Sequence, residues 1–140
     1  NLALDVRHEV ADCRSSEIVK GIAAGTARGR FSGMIYVAPD AQRTAAFQQS
    51  RNLLLNDRAE IKTEPQLEIY ADDVKCSHGA TVGMMDEDAI WYMRQRGLDE
   101  AAARRLQMMG FAADVTSHIA DEELRSELEV LIDRKLDSLN

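Results

Sequence analysis

The sequence is short of cysteine, proline and aromatic residues, and the shortage narrows what the chain can be. Cys13 and Cys76 are the two cysteines among 140 residues, prolines also number two, and aromatic residues make up 5%. Two thiols cannot build a disulfide framework, so we expect a reduced intracellular compartment and predict a cytoplasmic protein. No apolar run in the sequence approaches the length of a membrane span, which argues against a membrane-embedded role.

Positive charge is also scarce. The sequence has 17 Lys and Arg against 24 Asp and Glu, which leaves a formal net charge of −7. Nucleic acids and anionic membrane surfaces are bound through basic patches. We therefore expect neither of them as a partner.

Catalytic signatures are missing from the sequence as well. Gly79 and Gly83 enclose three residues, one fewer than a P-loop requires, and Met84 follows where that loop has lysine. The sequence has no GxSxG, HExxH or CxxC motif either. We therefore predict that this chain is not an enzyme and does not hydrolyse nucleotides by itself.

The first half of the chain has the pattern of short strands separated by turn residues. Six of the eight glycines lie between residues 21 and 83, as do both prolines, and they punctuate this pattern. Apolar and polar residues alternate along the best-defined segments. The predicted strands are 2–10, 17–22 and 31–37, with further strand positions at 53–55, 61, 67 and 69. Because the sequence starts without Met in mid-alternation, we expect it to be part of a longer chain.

Two architectures fit this run of strands. Residues 35–40 resemble residues 69–73 at an offset of 34, and strands that repeat without an intervening helix favour coils stacked into a β-solenoid. A β-sandwich has similar strand spacing and is the alternative. We prefer the solenoid because Gln42, Gln48, Gln49 and Asn52 suit side-chain ladders between stacked strands.

After residue 85 the pattern becomes helical, and three helices are predicted. Asp86, Asp99 and Asp121 can each cap a helix, Gly97 ends the first, and Gly110 would weaken the second. The expected apolar faces are Ile90, Trp91 and Met93; Ala102, Leu106, Met109 and Ala113; and Leu124, Leu128, Leu131, Ile132, Leu136 and Leu139. Trp91 with Met93, Met108 and Met109 is either core or an adaptable docking surface.

Cys76 and His78 form the one close pair of soft metal ligands in the sequence. Residues two apart in a strand project from the same face, so the thiol and the imidazole would point the same way. They could share a metal ion, or offer two ligands to a cluster completed by another chain. The other interpretation is a buried thiol beside an ordinary polar histidine. Structural roles are expected for His8, Cys13 and His118.

Two stretches of the sequence resemble a known family. LEIYADDVKCSHGATVG (67–83) and DEDAIWYMRQRGL (86–98) are similar to the C-terminal region of the SufB/SufD family, scaffold components of the SUF iron–sulfur cluster assembly system. SSEIVKGI (15–22) and ARGRFSGMIYVAPD (27–40) also read like that family, so the resemblance covers nearly the whole chain. The variant CSHGATVG is more similar to the SufD branch than to the SufB branch.

The resemblance implies a fold and two partners. Residues 1–84 would be the C-terminal part of a right-handed parallel β-helix, and residues 85–140 would be a C-terminal helical subdomain. In the family, SufB and SufD pair through their β-helices, and the ATPase SufC docks on the helical regions. A SufB-like paralogue and a SufC-like ATPase are thus the implied partners, with the P-loop on the latter.

The resemblance also implies a role for the CSHG motif, whose histidine is implicated in forming the nascent cluster at the SufB–SufD interface. In this sequence that histidine is His78, with Cys76 beside it as the second candidate ligand. One thiolate and one imidazole cannot complete the ligand set of a cluster, so a SufB-like chain would supply the rest. The implied metal group is a transient iron–sulfur cluster, held at an interface and then given away.

Two other functions remain as alternatives. A β-helix enzyme acting on carbohydrate would use paired carboxylates, and Asp72 and Asp73 are candidates, although neighbours in a strand point to opposite faces. A purely structural interaction module would leave Cys76 and His78 as packing residues. A chain that begins within a solenoid exposes an unpaired strand edge, so we also expect the isolated chain to form a homodimer.

Overall fold

The computed structural model describes residues 1–139 and contains six β-strands followed by three α-helices. The strands are β1 (Leu2–His8), β2 (Arg14–Ala23), β3 (Arg28–Val37), β4 (Ala45–Leu54), β5 (Glu60–Ile69) and β6 (Lys75–Met84). The helices are α1 (Glu87–Gln95), α2 (Glu100–Thr116) and α3 (Glu122–Asp137). The protein is therefore mainly β in its first half and helical in its second, in the order that the sequence predicts.

Alternate strands of the first half pair with one another in parallel. β1, β3 and β5 form one sheet (sheet A), and β2, β4 and β6 form a second (sheet B). Within residues 1–139 all four strand pairings are parallel, so the β-sandwich alternative is wrong, because such sandwiches are built from antiparallel strands. The similarity between residues 35–40 and 69–73 does not mark the strand pairing, since Ile35 pairs with Leu67 rather than with Ile69.

The space between the two sheets is partly apolar and partly polar. An apolar cluster is formed by Ile35, Val37, Ala41, Ala46 and Ala71. Beside it, β4 turns Gln48, Ser50 and Asn52 inward, and all three are buried. The expected glutamine and asparagine ladder is wrong, because Gln48 lies opposite Glu17 and Asn52 lies opposite Gly21 on the neighbouring strand β2. The row of buried polar side chains therefore meets unlike residues on either side.

The helix boundaries follow from local chemistry that the sequence displays. Asp86, Asp99 and Asp121 each accept a hydrogen bond from a backbone N–H three residues later, at 3.0, 2.8 and 3.0 Å. Gly97 adopts a φ of 97°, which favours glycine, directly after the C-cap residue of α1. Gly110 does not interrupt α2. Across residues 1–139, no helix has both the length and the apolar character that crossing a membrane requires.

The faces that the helices bury differ in part from the expected ones. In α2 the buried residues are Ala103, Met108 and Thr116, whereas Ala102 and Leu106 of the expected face are exposed. The cause is that α2 contacts α1, α3 and β2 at once, so its buried surface does not follow one simple stripe. On α1 Ile90 is buried as expected, but Trp91 is exposed. On α3 Leu136 is buried, Leu128 and Ile132 are half-buried, and Leu124 and Leu131 are exposed, while Leu139, which follows the helix, is half-buried.

A buried lysine ties the helices to sheet B. The side chain of Lys20 on β2 is 8% exposed, and its Nζ donates to Asp114 Oδ2 at 2.6 Å and to the Phe111 carbonyl at 3.0 Å. The same ammonium lies 4.4 Å from the centre of the Phe111 ring, where a cation is attracted to the aromatic face. Since Phe111 and Asp114 both belong to α2, these contacts fix α2 on the outer side of β2.

We expect Asp114→Asn to change the pH dependence of stability. The Lys20 ammonium, through its hydrogen bond and its charge, holds the pKa of the Asp114 carboxyl below its ordinary value. A carboxyl with a lowered folded-state pKa adds stability above its unfolded pKa, and this contribution is lost as the pH falls through the folded value. The urea midpoint should therefore be lower for the variant at pH 7 and should approach that of the wild type at acid pH, once the Asp114 carboxyl is protonated in the folded protein. The difference should be small, because the carboxylate is half exposed.

The control for this measurement is Asp72→Asn, which changes an exposed carboxylate in the turn between β5 and β6. Its midpoint should stay close to that of wild type at both pH values. A difference between Asp114→Asn and wild type that persists undiminished in acid would contradict the assigned ion pair.

Candidate functional site

Strand β6 places Cys76 and His78 on the same face, as the spacing predicts. Cys76 lies opposite Ala46 on β4, and His78 lies opposite Gln48. Residues paired in register across a parallel sheet project to the same side, and Ala46 and Gln48 are both buried between the sheets. The thiol and the imidazole therefore both project from the inner face of sheet B.

The two side chains differ in their surroundings. Cys76 is half-buried and packs against the apolar cluster of Ile35, Val37 and Ala46. His78 is exposed, because β6 is an edge strand of sheet B and its inner face is largely uncovered. The imidazole is thus free to meet a partner or a metal group, whereas the thiol is held at the margin of the core.

The turns that precede β2, β4 and β6 lie next to one another and are joined by an ion pair and by a backbone hydrogen bond. Arg43 donates two hydrogen bonds to the Asp12 carboxylate, at 2.6 and 2.7 Å, and its backbone N–H donates to the Asp73 carbonyl at 2.6 Å. The hydrogen bond from Arg43 holds the pKa of Asp12 below its ordinary value, and the pKa of Arg43 is raised in return. The turns that precede β2, β4 and β6 are thereby linked, and the last of them leads directly into β6 and Cys76.

The chain supplies two soft ligands at this place and no more among the residues described. Across residues 1–139 no group of three or more His, Cys, Asp or Glu side chains is arranged to hold a metal ion. Thiolate and imidazole are both known ligands of iron–sulfur clusters, and four protein ligands are the usual number. A cluster at β6 would need the remaining ligands from another chain.

A hydrogen-bonded pair that the sequence pattern does not reveal lies beside His78. Gln48 is fully buried, and its Nε2 donates to Glu17 Oε2 at 2.7 Å. Glu17, Gln48 and His78 form one row across β2, β4 and β6 in register. The polar run in β4 is visible in the sequence, but the strand register that aligns these three residues is not.

The other candidate residues from the sequence lie elsewhere. His8 is buried and its Nε2 is 2.9 Å from Ser15 Oγ, which suits the structural role expected of it. Cys13 is a free, half-buried thiol in the turn before β2, and His118 is exposed after the end of α2. The structure brings none of these three into the row that contains Gln48.

Asp72 and Asp73 lie in the exposed turn between β5 and β6 rather than within a strand. The backbone of Asp73 accepts from Arg43 and donates to Gln42 Oε1. The two aspartates thus belong to the linked turns, and their position does not favour the carbohydrate-acting alternative.

The methionine and tryptophan group divides between core and surface. Met108 is fully buried with Met85, Ile90 and Leu136, while Met93 and Met109 are half-buried against that cluster. Trp91 is 62% exposed on α1. The docking interpretation is therefore wrong for Met108, and Trp91 is the member of the group that is open to a partner.

Comparison with known proteins gives a consistent family assignment. Residues 1–111 match the family model described as SUF system FeS cluster assembly, SufBD core domain. Over 97% of its length the chain is 40% identical to the iron-sulfur cluster assembly protein SufD of Escherichia coli (strain K12). It is also 40% identical to an iron-sulfur cluster assembly SufBD family protein of Synechocystis over 81% of the chain, and 39% identical to the chloroplastic protein ABCI7 of Arabidopsis thaliana over 76%.

The matched regions cover only part of those relatives. They span 35% of the Escherichia coli protein, 25% of the Synechocystis protein and 22% of the Arabidopsis protein. The family model nevertheless matches well over half of this chain, and the identity to relatives extends through β6 and the helices. The chain therefore belongs to the SufBD family of SUF-system iron–sulfur cluster assembly proteins.

Proposed function

We propose that this chain is a non-catalytic, SufD-like scaffold portion that contributes ligands to a nascent iron–sulfur cluster at an interface with a SufB-like chain. The observation that carries the proposal is the shared inner face of Cys76 and His78 on the edge strand β6, where His78 is exposed and Cys76 is half-buried beside it. The ligands lie where a second chain can approach them, and family membership supplies the kind of cargo.

The cluster is the cargo of such a scaffold, and the chemistry of the two residues suits a weak hold on it. His78 would contribute an imidazole nitrogen. Cys76 would contribute a thiolate once its side chain rotates away from the apolar cluster toward the partner chain. Two ligands from one chain and the rest from another give a site that opens when the chains separate. Release of the cluster to an acceptor requires an opening of this kind.

The fold supports the pairing through strands. We infer that the six strands build coils of a right-handed parallel β-helix, because consecutive strands alternate between two parallel sheets and each strand pairs with the next but one. In such a stack the last strands, β5 and β6, present unpaired backbone groups that another chain can meet. A SufB-like β-helix is the proposed partner at that end.

The helices are the proposed docking region for a SufC-like ATPase. Each of them presents exposed apolar side chains, namely Trp91 on α1, Leu106 on α2 and Leu131 on α3. Contiguous exposed apolar patches are typical of protein interaction sites, and we propose that these side chains contribute to one. A cytoplasmic location, and a homodimer when the chain is isolated, remain predictions alongside this docking.

The test is anaerobic cluster assembly on the complete complex with SufB-like and SufC-like partners. We expect His78→Ala to leave the complex intact while iron content and charge-transfer absorbance fall to near background, since an exposed ligand is lost without a change in the core. Cys76→Ala should cause a smaller loss, because that thiol is partly committed to packing. Iron, sulfide, absorbance and size-exclusion profile would be measured on the same samples.

The matched control is His118→Ala, which removes another exposed histidine far along the chain, after α2. It should assemble as much cluster as the wild type. Equal iron in the wild-type, His78→Ala and His118→Ala complexes would overturn the proposal and leave β6 with a packing role alone.

A further inference from the structure

On the inner face of sheet B, one buried polar side chain has an acceptor atom that receives no hydrogen bond within residues 1–139. Gln48 is 0% exposed, yet its Oε1 has no hydrogen-bond partner among the residues described. An unsatisfied buried carbonyl oxygen costs free energy, so a group that can donate to it is expected nearby. The strand register points to such a donor.

The orientation of the Gln48 amide follows from Glu17. An ionised carboxylate can only accept hydrogen bonds, so the NH₂ side of the amide must face Glu17, and Nε2 does so at 2.7 Å. The oxygen on the other arm of the amide is consequently turned away from β2. His78 is the neighbour of Gln48 on the opposite side of the row, on β6.

The spacing of the strands suits a hydrogen bond between the two side chains. Neighbouring strands lie about 4.8 Å apart, and side chains in register on one face are direct neighbours. His78 belongs to the open edge, so one ring nitrogen can turn toward Gln48 while the other faces outward. A histidine that binds a metal commonly donates its second ring N–H to a fixed acceptor in this way.

We propose that Gln48 is the positioning residue for His78: its amide oxygen accepts a hydrogen bond from the imidazole, and Glu17 holds the amide in that orientation. The hydrogen bond fixes which ring nitrogen carries the proton and leaves the other available at the edge of β6. The contribution of this hydrogen bond to cluster assembly rests on the proposed function of His78 as a ligand. The existence of the hydrogen bond does not depend on that function.

A rival donor for the amide oxygen is also present. Thr63 of β5 projects into the same interior from sheet A, and its Oγ1 likewise has no hydrogen-bond partner among residues 1–139. A water shared by Thr63 and Gln48 would satisfy both groups without His78. The experiment must therefore separate a histidine donor from a threonine-bound water.

The test reads the tautomers of His78 directly by long-range ¹H–¹⁵N NMR of the imidazole in the metal-free protein. The chain has three histidines, so His8 and His118 serve as internal references. Gln48→Met keeps the length of the side chain but removes the acceptor. We expect it to change the ratio of the two His78 tautomers by about two- to tenfold, the range that one net hydrogen bond contributes to an equilibrium.

Thr63→Val is the second variant, and it removes the rival hydroxyl with little change in shape. It should leave the His78 tautomer ratio unchanged, and the signals of His8 should stay unchanged in both variants as proof of an intact fold. An unaltered His78 ratio in Gln48→Met, or an equal change in Thr63→Val, would overturn the proposal.

The same variants separate this inference from the proposed function. If His78→Ala loses iron but Gln48→Met leaves the tautomers alone, the positioning role fails and the ligand role stands. If Gln48→Met shifts the tautomers but His78→Ala assembles clusters normally, the hydrogen bond is established and the ligand role fails. The metal-free NMR measurement can thus overturn the positioning role without overturning the ligand role, and cluster loading can do the reverse.

Discussion

Replacing Met108 by alanine is expected to lower the free energy of unfolding by about 2–5 kcal/mol, the range for removing a large buried apolar side chain. Met108 is fully buried in a cluster with Leu53 of β4, Met85, Ile90 of α1 and Leu136 of α3. The cavity left by the shorter side chain would be lined by residues from sheet B and from all three helices. Such a site cannot collapse without moving several elements together, so the upper half of that range is the expectation.

The measurement is equilibrium urea unfolding followed by far-ultraviolet circular dichroism and by Trp91 fluorescence. Because strands and helices share this cluster, both probes should report one transition, which moves to lower urea in the variant. Leu106→Ala is the control, since Leu106 lies on the same helix but is 54% exposed. It should change stability by less than about 0.5 kcal/mol. Equal effects of the two substitutions would contradict the assigned core.

The helix termini were predictable from the sequence because capping is local. Asp86, Asp99 and Asp121 each act within three residues of their own position, and the structure shows each carboxylate bonded as expected. The buried face of α2 was not predictable in the same way. Alanines are spread around that helix, so several stripes look equally apolar, and the choice among them depends on where α1, α3 and β2 lie.

Half of the candidate site could also be predicted from local geometry. The shared face of Cys76 and His78 follows from the alternation of a strand, whatever the rest of the chain does. The row of Glu17, Gln48 and His78 depends instead on the register of strands about thirty residues apart, which turns and interior packing determine. The similarity at an offset of 34 shows the same limit, because it does not specify which residues pair, and Ile35 lies opposite Leu67 rather than Ile69.

Gly33→Ala is expected to destabilise the protein by about 1–3 kcal/mol, the usual cost of overpacking a filled interior. A Cβ at Gly33 would lie 2.5 Å from Gln48 Nε2, 2.6 Å from Gln48 Oε1 and 2.6 Å from Phe31 Cζ. Gln48 and Phe31 are both buried, so neither can move aside into solvent. Gly33 is therefore required because the Gln48 amide occupies the space of its missing side chain.

Gly79→Ala is the matched control, because it is another glycine within a strand and lies directly after His78. Among the residues described, nothing comes within 4 Å of a Cβ placed there, so the variant should be neutral or more stable by about 0.4–1 kcal/mol through its effect on the unfolded chain. Urea midpoints for the two variants should thus move in opposite directions or by clearly different amounts. Similar midpoints would show that the interior beside Gln48 accommodates an added methyl group without overpacking.

The Gly33→Ala protein also tests whether stability and the site share one cause. A methyl group that displaces the Gln48 amide should move its oxygen as well as its nitrogen, so the Glu17 hydrogen bond and the His78 tautomer ratio should both change. A variant that is less stable but keeps the wild-type ratio would mean that Phe31 yields and the amide does not. Loss of stability together with an altered ratio would mean that the glycine of β3 sets the orientation of an amide on β4, and through it the imidazole at the edge of β6.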